Sequence, residues 1–445
     1  MSHDERRLTA APAELQAQVS TAPPKLTSPL RIGGLTLRNR LYRAPVLEGA
    51  GSSKDPAATY ARHFVPNARA GVGLIIQGRT IITPHGHTSP GMCTVRDRDD
   101  ILQLKPMVEA VHREGAAIIL QLGHGGAFSL ASWHEQARRS DPPCWIPSPL
   151  PFPIGLSHRN THVLSDEEIG TLVRRFGEVA SWAREAGYDG VQLSASNAKL
   201  LHTFLSRTWN RRRDRWGGAT PEERFSIVHA IRASIADQAG ADFPVLLKFA
   251  AREEALYPWQ RTSGISEEDG LVFARLAEAS GFAALTPVYT SALPDTSLCR
   301  GGDAGEALAQ PNLARRFRDA SGSPFRHHVL RLAMSRAAKR FPYETAWNRR
   351  AAAAVRAIVS VPVFTVGGIR TRSEAEHLLA EGCADAVGIG RPFYAEPELP
   401  RRLLSDDPAL HDADPLCESC NKCVVPQMLG MAAVCYRKVG RTGPG

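Results

Sequence analysis

Along most of this chain, short apolar runs alternate with longer stretches whose apolar residues recur every three or four positions. The runs fall at residues 40–45, 73–78, 116–122, 190–195, 245–250, 283–287, 361–367 and 384–390. Each is nearly continuous in apolar side chains, as expected of strands covered on both faces. Between them, residues 166–186 place Ile169, Leu172, Val173, Phe176, Val179 and Ala180 at helical spacing. Ser165 with Glu168 opens that stretch as a capping box, and Ser266 with Asp269 and Thr371 with Glu374 open later helices in the same way. Strand–helix alternation predicts parallel strands joined by right-handed crossovers. Eight such units predict an α/β fold, a closed (β/α)8 TIM barrel whose site lies at the carboxyl ends of the strands. A doubly wound sheet also alternates, but no GxGxxG turn follows an early strand.

Three segments depart from that rhythm. Residues 1–25, rich in Ala, Pro, Gln and Ser, read as a flexible arm ahead of a barrel over 26–410. Residues 288–345 are too long for one helix and a loop, being polar over 294–310 and then basic and helical over 326–340; a lid or small helical insertion is expected. Residues 411–445 form a cysteine-bearing C-terminal segment.

Composition narrows the function classes. A chain of 445 residues with 43% hydrophobic side chains can bury a large single core, as α/β barrels do. No apolar run is long enough to span a bilayer, and no apolar stretch follows the mixed charges at the N-terminus, so a soluble cytoplasmic protein is expected, with no membrane role. The net charge of +9 comes mostly from scattered arginines rather than a stripe, which favours phosphate-bearing small molecules over nucleic acid. Cys93, Cys144, Cys299 and Cys383 are isolated, as suits reduced thiols. The other four, Cys417, Cys420, Cys423 and Cys435, crowd the C-terminal segment. Three close thiols and a fourth after a loop suit a cubane iron–sulfur cluster; a structural zinc site is the alternative.

The strongest local signal lies at the last two predicted strands. Gly367-Gly368 ends the seventh, and Gly390-Arg391 ends the eighth. Paired glycines let backbone N–H groups approach an anion, and the loops after strands seven and eight are the usual phosphate site of such barrels.

Several ordered segments together carry a family resemblance. They are Leu26 through Gly34 with Arg38 and Arg40, Gln121 through Gly126, Phe204 to Ser206, Asn210 through Gly218 with Arg224 and Phe225, and Gly367 through Pro392. In these the chain resembles the Old Yellow Enzyme family of FMN barrels, particularly the iron–sulfur branch with trimethylamine dehydrogenase and 2,4-dienoyl-CoA reductase. The resemblance covers about 26–436.

It implies FMN. Ala44, Pro45 and Val46 would run along the isoalloxazine, Gly78 would lie close to the ring, and Gln121 would bond its pyrimidine edge. Lys248 would supply the cation that stabilises the reduced flavin, although a lysine snorkelling from a strand end is the bland alternative. Gly367, Gly368, Gly390 and Arg391 would hold the phosphate, and Cys417, Cys420, Cys423 and Cys435 a 4Fe–4S cluster.

The substrate side departs from the family. Asn197 is retained, but Ser194 replaces a histidine, Lys199 replaces the proton-donating tyrosine, and Leu47 stands where Thr or Cys is frequent. The implied activity is hydride transfer between flavin N5 and an unsaturated enone or enoyl-like small molecule, with NAD(P)H as reductant. Asn197 would orient the substrate, Lys199 or His202 would manage protons, and His124 is a weaker candidate. Lys199 reads equally as a solvent-facing lysine. Relatives with the cluster continue into further domains, so a separate electron-transfer protein is a possible partner; the sequence leaves the oligomeric state open. An amine dehydrogenase or demethylase, and a barrel that binds flavin without turnover, are the competing readings.

Overall fold

The computed structural model describes residues 23–439 apart from 153, 159, 257–263 and 412. Most of the predicted N-terminal arm, residues 1–22, lies outside the described residues. All eight predicted strands form: β1 (Leu41–Arg43), β2 (Leu74–Ile81), β3 (Ala117–Gly123), β4 (Gly190–Ala195), β5 (Val245–Glu254), β6 (Ala284–Ser291), β7 (Phe364–Val366) and β8 (Ala386–Ile389). They are hydrogen-bonded in the order β6-β5-β4-β3-β2-β1-β8-β7, and every neighbouring pair is parallel. A parallel bridge from Leu285 to Val363 joins the two ends, and the Leu285 N–H donates to the Pro362 carbonyl at 3.0 Å. The sheet therefore closes into the expected barrel.

Helices α1 (Pro56–Arg69), α2 (Lys105–Arg113), α3 (Asp166–Glu185), α4 (Pro221–Ala239), α5 (Glu267–Ala279), α6 (Arg349–Arg356), α7 (Arg372–Ala380) and the short α8 (Leu399–Leu403) follow the strands in turn. Their apolar faces and the outward strand residues share one core, which includes Phe176, Phe225, Phe273 and Ile231. A second core fills the barrel. There Tyr42, Leu74, Ile76, Ile119, Leu246 and Phe364 meet Leu30, Ile32 and Leu37 from an antiparallel hairpin. The hairpin thus closes the barrel floor, and the open end is left at the strand C-termini.

The three expected capping boxes are present, and Thr220 with Glu223 makes a fourth at α4. The segment after β6 is a helical insertion, Pro311–Ser321 and Pro324–Arg340, preceded by two short 3₁₀ turns. Its Leu308, Leu313 and Phe317 pack on Val425 of the C-terminal segment, with Met428, Leu429 and Met431 beside them. The insertion and the cysteine segment thus form one unit over the barrel mouth.

Ser165→Ala removes the side-chain acceptor of Glu168 N–H at the start of α3. Its urea midpoint should fall by an amount equivalent to about 1 kcal/mol, with an unchanged slope.

Candidate active site

One cavity opens at the strand C-termini, and residues from all eight strands or the turns beyond them reach its wall. Ala44, Pro45 and Val46 come from the end of β1, Gln121 from β3, Asn197 from beyond β4, Lys248 from β5, Gly367 and Gly368 from β7, and Gly390 and Arg391 from β8. Ten of the thirteen residues expected at the site from sequence, the four cysteines aside, therefore line one space.

The glycine pair is required by geometry. Gly367 has φ +135° and Gly368 φ +73°. A Cβ on the first would fall 2.3 Å from the Trp347 ring, and one on the second 2.0 Å from the Glu344 carbonyl oxygen. Trp347 itself lines the cavity, with the Arg300 guanidinium 4.5 Å above its ring. Arg370, immediately after this turn, lines the cavity as well. It stacks 4.0 Å over Tyr343 and leaves its Nε without a protein partner. Gln121 is held by donation from Nε2 to Gln192 Oε1 at 2.7 Å.

Charge is the outstanding property of this wall. Arg79, Lys248, Arg370 and Arg391 face the cavity, while none of its lining residues is Asp or Glu. Burial brings Lys248 down to about 8, with nearby Arg79 adding to the effect and Cys299 opposing it. Burial likewise brings Arg79 down to about 10. These groups carry the signature of cations waiting for an anion.

The residues expected on the substrate side separate. Asn197 and Ala198 both adopt left-handed backbone, at φ 55° and 54°. Such a turn is strained for residues with side chains and marks a held geometry. The Asn197 carboxamide lies at the cavity wall, with its buried Oδ1 lacking a protein partner. Lys199 is buried behind that wall rather than on it, so the solvent-facing reading does not hold. Burial, reinforced by Arg79, pushes its pKa well below the ordinary lysine value.

His202 is fully buried and does not reach the cavity. Its Nδ1 accepts the Ala198 N–H at 2.6 Å, and its Nε2 lies 2.9 Å from Glu253 Oε2. The ring thus anchors the turn that carries Asn197, which replaces its expected proton-handling role with a positioning one. Gly78 also stays off the wall. A Cβ there would sit 1.8 Å from the Val46 carbonyl oxygen, so this glycine lets β1 run close beneath the cavity. His124 is buried against Trp145, its rings 5.0 Å apart and nearly parallel, and burial drives its pKa to about 3. It is a packed neutral imidazole.

Sequence reasoning missed Arg79, Arg370, Trp347, Cys299 and Ser419, which also line the cavity. Arg79 had one visible signal, a charge inside an apolar strand run. Ser419 and Cys299 had none, because they arrive from the cysteine segment and the insertion. That junction is tightly tied. Arg391 donates from Nη1 to Asn421 Oδ1 and, at 2.8 Å, from Nη2 to the Arg300 carbonyl. Asn421 Nδ2 in turn donates to the carbonyls of Cys299 (2.9 Å) and Gly302 (3.0 Å).

Beside this junction, Cys417, Cys420, Cys423 and Cys435 line a small cavity of their own, which Arg391 also touches. All four are free thiols. Among the described residues, no three Cys, His, Asp or Glu side chains are already gathered as a metal site.

Residues 25–280 and 309–409 match the model of the NADH:flavin oxidoreductase / NADH oxidase family. The match omits the 299–302 junction and the cysteine segment. A metal reductase of Desulforamulus reducens is 28% identical over 383 residues, 86% of this chain and 49% of the relative. An NADH oxidase of Thermoanaerobacter brockii is 28% identical over 85% of this chain and 50% of its own length. The chain thus spans about half the length of these curated relatives. Among solved structures, a 2-naphthoyl-CoA reductase complex superposes with TM-score 0.70 over 92% of this chain and 56% of that one, at 19% identity. That likeness supports the barrel fold.

Lys248 makes a pH-dependent contribution. Its folded pKa, about 8, lies below the unfolded value of 10.5, so between these values the unfolded chain binds more protons and stability rises with pH. In ligand-free protein, the stability of wild type relative to Lys248→Met should increase from pH 7 to pH 10, as read from paired urea titrations.

Proposed function

The chain belongs to the NADH:flavin oxidoreductase / NADH oxidase family, and from that premise we propose that it reduces activated C=C bonds of small molecules with NAD(P)H, using FMN. The observation that carries this reading is the strand-end cavity with four cations and a required Gly-Gly turn, unbalanced by any acidic wall residue. These residues fit the group. Gly367, Gly368, Gly390, Arg370 and Arg391 would hold its phosphate at the turns after β7 and β8. Ala44 to Val46 would flank the ring, Gln121 would meet its polar edge, and Lys248 would favour its anionic reduced form. Bound FMN supplies the hydride-transfer chemistry that side chains lack.

The chain's own residues do the rest. In the net reaction the nicotinamide gives up a hydride, the β-carbon gains one, and the α-carbon gains a proton from the protein or solvent. Asn197, fixed by the His202 anchor, would hydrogen-bond the activating carbonyl and take up charge that develops there. Lys199 would supply the proton, its burial making the charged form easier to discharge, and Ser194 and Ser196 on the wall would offer hydroxyls between it and the cavity.

The four-cysteine cavity suits an iron–sulfur cluster: four thiols surround one space, three of them close in sequence and the fourth after a loop. Cys417, Cys420, Cys423 and Cys435 would hold it, giving electrons from a partner protein a second entry beside the flavin site. Eight free thiols favour a reducing compartment such as the cytoplasm, and no helix among the described residues is long and apolar enough to cross a membrane.

An amine dehydrogenase is disfavoured by the same wall. Trp347 is the single aromatic among its described lining residues, and four cations would repel a substrate ammonium.

Anaerobic stopped-flow absorbance tests the proposal. FMN-loaded protein should bleach with NADH or NADPH and regain its colour on adding an activated alkene, tested with 2-cyclohexenone and with crotonate. A flavin that neither nicotinamide reduces, or that no activated alkene reoxidises, contradicts the reading. Asn197→Ala should lower kcat/KM for the alkene by about ten- to a hundredfold while leaving reduction by NAD(P)H within about threefold.

A further inference from the structure

Arg79 enters the reading above only as one of four cations, yet the chain goes to some length to place it at the cavity. Along β2, Gln77 pairs with Leu120 and Thr80 pairs with Leu122, so three steps on β2 match two on β3. The extra residue is a bulge, a device that re-aims a side chain beside a site. Next to it, Gly123 and Ser194 leave the space the arginine occupies. A Cβ on Gly123 would lie 2.5 Å from Arg79 Cδ and 3.3 Å from Ser194 Cβ. The guanidinium then lies on the cavity wall with Asn197 and Ser196. Its Nη2 donates to Thr88 Oγ1 at 3.2 Å, and its Nε has no partner. No carboxylate among the described residues offsets its charge.

A guanidinium presents donors in a planar fork that matches a carboxylate. On the reading above, Arg370 and Arg391, at the turns after β7 and β8, would hold the flavin phosphate. Arg79 instead shares its wall with Asn197, where the substrate's activating group is expected, and packs by Gly123 next to Ser194.

We propose that Arg79 forms a carboxylate subsite, so that the pocket takes an α,β-unsaturated acid rather than a neutral enone. This rests on the reading that FMN occupies the cavity and names the substrate class for it. Asn197 and Arg79 would share the carboxylate, the polarisation that other substrates receive at a ketone oxygen.

Binding of unreactive probes to the FMN-loaded full chain tests this without turnover. Benzoate and its neutral isostere benzamide are titrated while perturbation of the flavin absorbance is followed. Wild type should bind benzoate about ten- to a hundredfold more tightly than benzamide. Arg79→Gln should abolish that preference, chiefly by weakening benzoate. Arg79→Lys, which keeps the charge but loses the fork, should retain FMN and a reduced preference.

The subsite is overturned if wild type binds the two probes equally, if it does not bind benzoate, or if Arg79→Gln keeps the preference. It is also overturned if the substitution weakens FMN while leaving benzoate preferred, since Arg79 would then serve the flavin. Failure of the wild-type chain to bind FMN at all would instead strike the parent reading, so the two failures are distinguishable.

Discussion

The mouth of this barrel concentrates positive charge in partly enclosed space without enclosing negative charge to match it. Arg79, Lys248, Arg370 and Arg391 share one wall, and no acidic side chain joins them. Desolvated cations of this kind are unfavourable in isolation, which is why Lys248 gives up its proton so readily. Such an arrangement is stable in use only when an anion completes it. On the proposed reading, a flavin phosphate at one end and an anionic pyrimidine edge in the middle would account for three of the four cations. The carboxylate subsite at Arg79 accounts for the fourth.

The second organising feature is the knot between Arg391 and Asn421. A barrel of this kind needs only its own loops to cradle a phosphate. Here Arg391, the proposed phosphate arginine, is also bound to the loop that carries the cysteines, and that loop is bound through Cys299 and Gly302 to the insertion after β6. Ser419 of the cysteine loop and Cys299 of the insertion then become walls of the main cavity. The two candidate cofactor sites therefore share structure, and the helices Pro311–Ser321 and Pro324–Arg340 act as a brace beneath the cysteine loop rather than as a free lid.

Much of this was legible in the order of residues. Continuous apolar runs located all eight strands, because strands buried on both faces leave an unambiguous pattern. The Ser–Glu, Ser–Asp and Thr–Glu pairs located helix starts, because capping is local chemistry. Gly367-Gly368 and Gly390-Arg391 were visible as strand-end turns of the cavity because glycine pairs and one charge stand out locally. What depended on register or on distant contacts was not legible. Arg79 reaches the cavity only because β2 carries one more residue than β3 over the same span. His202 looked like a proton-handling group until packing set it against Glu253 and the Ala198 N–H. Lys199 looked solvent-facing or catalytic with equal ease, and only the fold shows it enclosed.

The central claim is that this barrel holds FMN at its charged mouth with an iron–sulfur cluster against the same wall. The visible absorption spectrum of anaerobically purified protein, with iron and acid-labile sulfide assayed on the same sample, tests it most directly. The account predicts flavin bands with a broad shoulder and about four irons per chain, the content of a cubane cluster. Flavin bands without iron would contradict the cluster assignment and leave the four cysteines a structural role. No flavin, even after FMN is added to the purified chain, would contradict the account at its root.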